Sequence, residues 1–187
     1  MLIKPSDLQD EPLRLDESIA VGEMEYTPDV RQVGALAIKG EADLIVEHRG
    51  HKETVEDIRI RADYEGDFEL LCARCLDPIT QQLSGSFDLI FRPESVDSDG
   101  KERAISEEET EIGYYEKSGL LLEDVVREQV LLSLPPRTLC GPDCKGLCQR
   151  CGQNLNHAKC SCAEAPADMR WNALASLAQD LTGKTGQ

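Results

Sequence analysis

Two groups of cysteines, far apart in the chain, restrict what this sequence can fold into more than any other feature. Cys72 and Cys75 form one CxxC pair, while Cys140, Cys144, Cys148, Cys151, Cys160 and Cys162 crowd a short stretch near the C-terminus. Thiolates grouped in this way usually hold a metal. Eight sulfurs are enough for two closed four-thiolate sites. A closed tetrahedral site leaves no position for a substrate, so it builds structure and performs no chemistry. The chain has no apolar run of the roughly 20 residues that a membrane helix needs, and its start, Met1-Leu2-Ile3-Lys4-Pro5-Ser6, lacks the apolar stretch of a secretory signal. The expected compartment is therefore the cytoplasm, where thiols stay reduced and metal ligation is favoured over disulfides.

The spacing suggests how the sulfurs divide. Cys148-Gln149-Arg150-Cys151-Gly152 has the form of a metal knuckle, in which two sulfurs reach one ion and the following glycine lets the backbone turn toward them. Cys160 and Cys162 follow closely, so Cys148, Cys151, Cys160 and Cys162 are assigned to one Zn²⁺ site. His157 is an available substitute ligand but is read as a surface residue. Cys72, Cys75, Cys140 and Cys144 remain for a second, less certain site, which would staple the end of a strand to a segment some 65 residues later. The alternative is an exchange, with Cys140 or Cys144 entering the distal site.

Short runs with a period of two fill the first half of the chain. Leu36 and Ile38, then Ala42, Leu44 and Val46, alternate with polar or small neighbours. After a turn at Arg49-Gly50-His51 the same holds for Ile58, Ile60, Ala62 and Tyr64. A second turn is expected at Glu65-Gly66-Asp67, followed by Phe68, Leu70 and Cys72, and later by Phe87, Leu89 and Phe91. Residues 1–30 read as an extended lead-in, with a strand or short helix near Ser18, and Ile112 to Glu116 as a returning strand. Residues 93–111 carry many acids and no apolar period, as in a solvated loop. From Leu120 to Leu134 the apolar residues Leu122, Val125, Val126 and Val130 recur at helical spacing before Pro135-Pro136. The expected fold is mainly β with some α: a small antiparallel sheet or barrel over residues 1–136, covered by one helix. A cysteine-rich, zinc-ribbon-like module over residues 137–187 follows, with a short terminal helix from Asp168 to Leu181.

The charge is strongly negative and unevenly placed. Residues 137–187 hold six basic and four acidic residues, net +2, which leaves −18 on the rest of a chain whose total is −16. Such a body repels phosphate backbones and attracts basic proteins. The four cations Lys145, Arg150, Lys159 and Arg170 of the near-neutral tail are the candidates for RNA contact.

Catalytic readings find little support. Cys144-x3-Cys148-x2-Cys151 has the cluster spacing of radical SAM enzymes, but those need a large barrel after the motif, and only 36 residues follow Cys151. A redox CxxC normally opens a helix. Cys72-Ala73-Arg74-Cys75 instead ends a strand and precedes Asp77-Pro78. There is no GxSxG, HExxH or P-loop pattern, and His48, His51 and His157 are scattered. Nothing points to a small-molecule substrate or a membrane.

Three stretches together resemble the YceD family, covering roughly residues 30–180. They are Cys72-Ala73-Arg74-Cys75-Leu76-Asp77-Pro78, the run from Asp124 to Pro135, and the run from Cys144 to Asn156. The ending Asp168-Met169-Arg170-Trp171-Asn172-Ala173-Leu174 is similar to that family's DPRW close, with Met169 in place of the proline. The family is named for accumulation of large-subunit ribosomal RNA. Its members occur in bacteria and plastids, often encoded beside a small protein of the large ribosomal subunit. Some keep the CxxC but lack the distal cysteines. The resemblance implies a non-enzymatic role in large-subunit biogenesis, with basic ribosomal proteins or a pre-ribosomal particle as partners. Direct contact of the tail with ribosomal RNA is the alternative, and a thiol redox enzyme the third.

Overall fold

Every second residue from Ile58 to Cys72 is buried. This unbroken alternation produces one long strand where two are expected. Glu65-Gly66-Asp67 is not a turn: the three residues pair with Ser84, Leu83 and Gln82 of the neighbouring strand. Gly66 keeps the phase of the alternation and makes room for a neighbour, since a Cβ there would lie 2.9 Å from Leu36 Cδ1.

The computed structural model describes residues 1–49, 53–96 and 112–162. The strands are β1 (Leu2–Ile3), β2 (Leu13–Ile19), β3 (Val30–Gln32), β4 (Leu36–Arg49), β5 (Glu53–Leu71), β6 (Pro78–Pro93), β7 (Ile112–Tyr115) and β8 (Leu120–Leu121). One helix, α1 (Leu122–Leu132), follows. The chain divides into two compact units, Met1–Cys144 and Lys145–Gln187. The turn residues 50–52, most of the acidic stretch (97–111) and the expected terminal helix from Asp168 to Leu181 lie outside the described residues.

In the first unit, β2, β4, β5, β6 and β7 lie side by side in that order, and β3 pairs with the far end of β5. The sheet is mixed. β6 and β7 run parallel, Ile90 to Pro93 facing Ile112 to Tyr115, which corrects the purely antiparallel expectation. A returning strand can be recognised by its apolar residues, but its direction depends on the path of the connection before it, which carries no periodic signal.

One sheet face forms the core, with Leu15, Leu36, Ile38, Ile58, Ile60 and Phe68 at 1% exposure or less. The helix lies over it with Leu122, Val125, Val126 and Val130 inward, the stripe that the sequence spacing indicates. Burying four such side chains contributes about 1.5–3 kcal/mol each. Tyr64 of β5 donates its hydroxyl proton to the Gln129 carbonyl at 3.2 Å, tying the helix to the sheet. The helix is shorter than expected from Leu120 to Leu134. Leu120 and Leu121 instead pair with Ile3 and Leu2, and Ser133 caps the other end. The competing partner is the start of the chain, which local helical spacing cannot reveal. On the opposite face Arg92 is buried. Its Nε and Nη2 donate to Asp57 at 3.1 and 2.8 Å, and Nη2 also donates to Glu47 at 3.1 Å.

Candidate metal centres

Each CxxC pair, Cys72/Cys75 and Cys148/Cys151, sits in the same small turn. Where β5 ends, the Cys72 N–H donates to the Asp77 carbonyl at 2.9 Å and the Leu76 N–H donates to the Cys72 carbonyl at 3.0 Å. In the second unit the Cys148 N–H donates to the Gln153 carbonyl at 2.8 Å and the Gly152 N–H to the Cys148 carbonyl at 2.9 Å. The residue after the second cysteine takes a left-handed conformation in both, at φ 72° for Gly152 and 61° for Leu76. Glycine adopts it freely, whereas leucine is strained there. Sequence inspection finds the glycine signal and misses its leucine counterpart.

The turn aims backbone amides at the first sulfur of each pair. Burial pushes the Cys72 thiol up, but the backbone N–H groups of Arg74, Cys75 and Cys140 outweigh it and bring the thiol down to about 6. For Cys148 the N–H groups of Cys151 and Arg150 do the same, again to about 6. Cys75 and Cys162 hold their protons more tightly. Burial raises Cys75, and the thiol of Cys151 together with burial pushes Cys162 up to about 12. A cation among the sulfurs would reverse that preference, because its charge stabilises every thiolate around it.

The tertiary structure gathers the eight sulfurs into two quartets. Cys72, Cys75, Cys140 and Cys144 form one, and Cys148, Cys151, Cys160 and Cys162 the other, with all sulfurs of a quartet within 4.8 Å of one another. In the proximal quartet the Cys72–Cys144 sulfurs are 3.8 Å apart and the Cys75–Cys140 sulfurs 3.6 Å. Two bonds of about 2.3 Å at a tetrahedral angle set sulfurs about 3.8 Å apart, whereas a disulfide needs about 2.05 Å. None of the eight cysteines is in a disulfide. The spacing therefore fits a single tetrahedral ion in each quartet.

The proximal quartet is assembled by backbone and apolar contacts that sequence reasoning misses. The Ala73 N–H donates to the Thr138 carbonyl at 2.8 Å. Arg74 Nη1 donates to the Cys144 carbonyl at 3.0 Å, and the Cys140 N–H to the Cys72 sulfur at 3.4 Å. Cys72, Cys75 and Cys144 are buried, with Ile79 and Leu139 packed against them. Cys140 is the exposed member. The residues that dock onto the knuckle lie about 65 positions away and carry no periodic signal.

The distal quartet is more open, with Cys151 and Cys162 exposed and Cys148 and Cys160 half-buried. Its loop is closed by a bridge between Leu147 and Asn154, by Leu155 N–H to the Gly146 carbonyl at 2.9 Å, and by Lys145 N–H to Asn156 Oδ1 at 2.8 Å. His157 is exposed, and four sulfurs complete the group without it. Lys145, Arg150 and Lys159 are exposed in this unit, while Arg170 lies outside the described residues. Together the knuckle, bridge and quartet make a module of zinc-ribbon type. Among the described residues no helix is long and apolar enough to cross a membrane.

Comparison with known proteins adds the family. The chain is 34% identical over 61 residues to the large ribosomal RNA subunit accumulation protein YCED homolog 1, chloroplastic, of Arabidopsis thaliana, covering 33% of this chain and 19% of that one. It is also 34% identical over 85 residues to uncharacterized proteins of Mycobacterium bovis and Mycobacterium tuberculosis, covering 45% of this chain and 38% of theirs. The chain thus spans well under half the length of these relatives. No solved structure gives a significant match. The model of the family described as "Large ribosomal RNA subunit accumulation protein YceD" matches residues 60–178, from the middle of β5 through both cysteine groups. Because that match covers well over half of the sequence, including both knuckles, this chain belongs to the YceD family.

Proposed function

We propose that this protein is a non-enzymatic factor in biogenesis of the large ribosomal subunit, supporting accumulation of its RNA through protein contacts. In this reading it is cytoplasmic. Cys72, Cys75, Cys140 and Cys144 hold one structural Zn²⁺, and Cys148, Cys151, Cys160 and Cys162 hold another. The carrying observation is that the eight thiols lie in two closed quartets. Four sulfurs around one ion leave no open coordination position. Family membership points the activity toward the ribosome.

The charge supports protein contact over direct RNA contact. Ribosomal proteins are basic, and a body carrying −18 outside residues 137–187 attracts them while repelling phosphate. The second reading rests on Lys145, Arg150 and Lys159, which are exposed together in the distal unit. One experiment separates the two. Tagged full-length protein is used to recover proteins and RNA from ribosome-assembling extract at moderate salt, with and without nuclease. Recovery of basic large-subunit proteins that survives nuclease supports the proposal. Recovery that depends on RNA and disappears on charge reversal at Lys145, Arg150, Lys159 and Arg170 supports the second. Recovery of neither refutes both. Native mass spectrometry of protein purified under reducing conditions should show two zinc ions per chain.

A further inference from the structure

A groove of about 800 Å³ lies in the first unit between α1 and the β7–β8 stretch. Its floor contains Phe91 and Tyr115, which belong to the core. Its walls are large apolar side chains that face water: Leu132 is 71% exposed, Tyr114 51%, Leu2 42% and Leu121 41%. They make up almost half of the nine large exposed apolar side chains among the described residues, and they line one groove. Clustered exposure of this kind marks an interaction surface, whereas scattered exposure does not. The groove also opens beside β7, the last strand of the sheet.

The rim narrows the choice of occupant. Glu116, Asp124 and Glu128 line the groove together with one cation, Arg127. Arg127 is occupied by Asp124 at 3.0 Å, one turn away. Neither Glu116 nor Glu128 has an ion-pair partner among the described residues. A nucleic acid would bring phosphates against this rim. A second copy of the chain would bring a net charge of −16. Both are disfavoured by the same Coulomb repulsion. A groove with an apolar floor and uncompensated carboxylates at its edge suits a segment that is apolar on one side and basic on the other.

We propose that this groove docks an amphipathic, basic segment of a partner protein, with apolar anchors against Leu132, Leu121 and Tyr114 and lysines or arginines against Glu116 and Glu128. This rests on the reading of the protein as a partner of basic ribosomal proteins, and it names the surface that would engage them. Leu132 and Glu128 are exposed at the end of α1 and contribute nothing to the core. Both can therefore be changed without unfolding the chain, which a thermal melt and a zinc count would verify.

The test uses the full chain and salt-extracted proteins of the large ribosomal subunit at moderate salt. A photoreactive benzoylphenylalanine is placed at position 132 and, in a separate preparation, at the exposed position 17 on β2. Binding is also measured for Leu132→Asp and Glu128→Lys. Crosslinks from position 132 to lysine- or arginine-rich segments, absent from position 17, with binding at least fivefold weaker in both variants, are the expected result. If the parent chain binds these proteins but position 132 gives no crosslink and both variants bind within twofold of it, the groove is overturned and the proposed function stands. If the parent chain binds none of them, both fall. Crosslinks from position 132 to a second copy of the chain would overturn the assignment of a basic partner.

Discussion

Loss of the proximal quartet should be felt by the whole β unit, and its size follows from the chain path. Cys75 and Cys140 are separated by 65 positions, and their sulfurs meet at 3.6 Å. Tying residues that far apart removes about 4 kcal/mol of unfolded-chain entropy by the loop-closure relation used for disulfides. A folded domain has only about 5–15 kcal/mol in total. Cys75→Ser combined with Cys140→Ser abolishes that tie and leaves two thiols in an apolar pocket beside Ile79 and Leu139. For a chain of this size about 1 kcal/mol shifts the melting temperature by about 2–4 °C. The double variant should therefore melt about 8–16 °C below the parent in far-UV circular dichroism, under reducing conditions, and should retain one zinc by native mass spectrometry. Cys151→Ser combined with Cys162→Ser should also retain one zinc, because those two sulfurs belong to the other quartet. A proximal double variant that keeps two zinc ions, or melts within about 2 °C of the parent, would refute the stapling argument.

Leu76→Gly should raise stability by about 0.5–1 kcal/mol in denaturant titration, since relief of a left-handed leucine exceeds the entropy that glycine adds to the unfolded chain; a loss would show that Leu76 makes contacts that offset its strain. Arg92→Met should cost about 3–5 kcal/mol because it strands the Asp57 carboxylate, 3% exposed, without its cation. Adding Asp57→Leu should recover most of that, and failure to recover would assign the loss to packing. Tyr115 donates its hydroxyl proton to the Glu56 carbonyl at 2.7 Å, and burial, with the nearby Glu56 and Asp57 charges, pushes it up to about 12. Its folded value lies above the unfolded value of about 10, so its contribution to stability is complete below that pH and is lost as the pH rises toward 12. In a Tyr26→Phe background, adding Tyr115→Phe should remove a tyrosinate absorbance phase near pH 12; if that phase persists, Tyr115 is not its source.

Local spacing made much of the architecture legible. The inward residues of β4, β5 and β6 and the buried stripe of α1 follow directly from periods of two and of about 3.6. The distal quartet was equally readable, because its four sulfurs fall within 15 residues and a glycine marks the knuckle. The misses share a cause. Gly66 looked like a turn because glycine is permissive, yet its missing side chain serves a contact with Leu36 across the sheet. Leu120 and Leu121 continued a helical pattern, yet backbone groups at the start of the chain claimed them for a strand. The parallel direction of β7 had no local correlate at all.

By itself the sequence determined that this chain would build strands with one apolar face, one covering helix and thiol groups suited to metal. Periodicity and ligand spacing are local properties, and they survive without knowledge of the fold. Only the tertiary structure decided that Cys140 and Cys144 join Cys72 and Cys75, because that quartet depends on β5 ending where the segment after α1 returns. It also decided where an apolar groove with a carboxylate rim would remain open. That depends on which side chains the packed elements leave uncovered, and no single stretch of sequence encodes it.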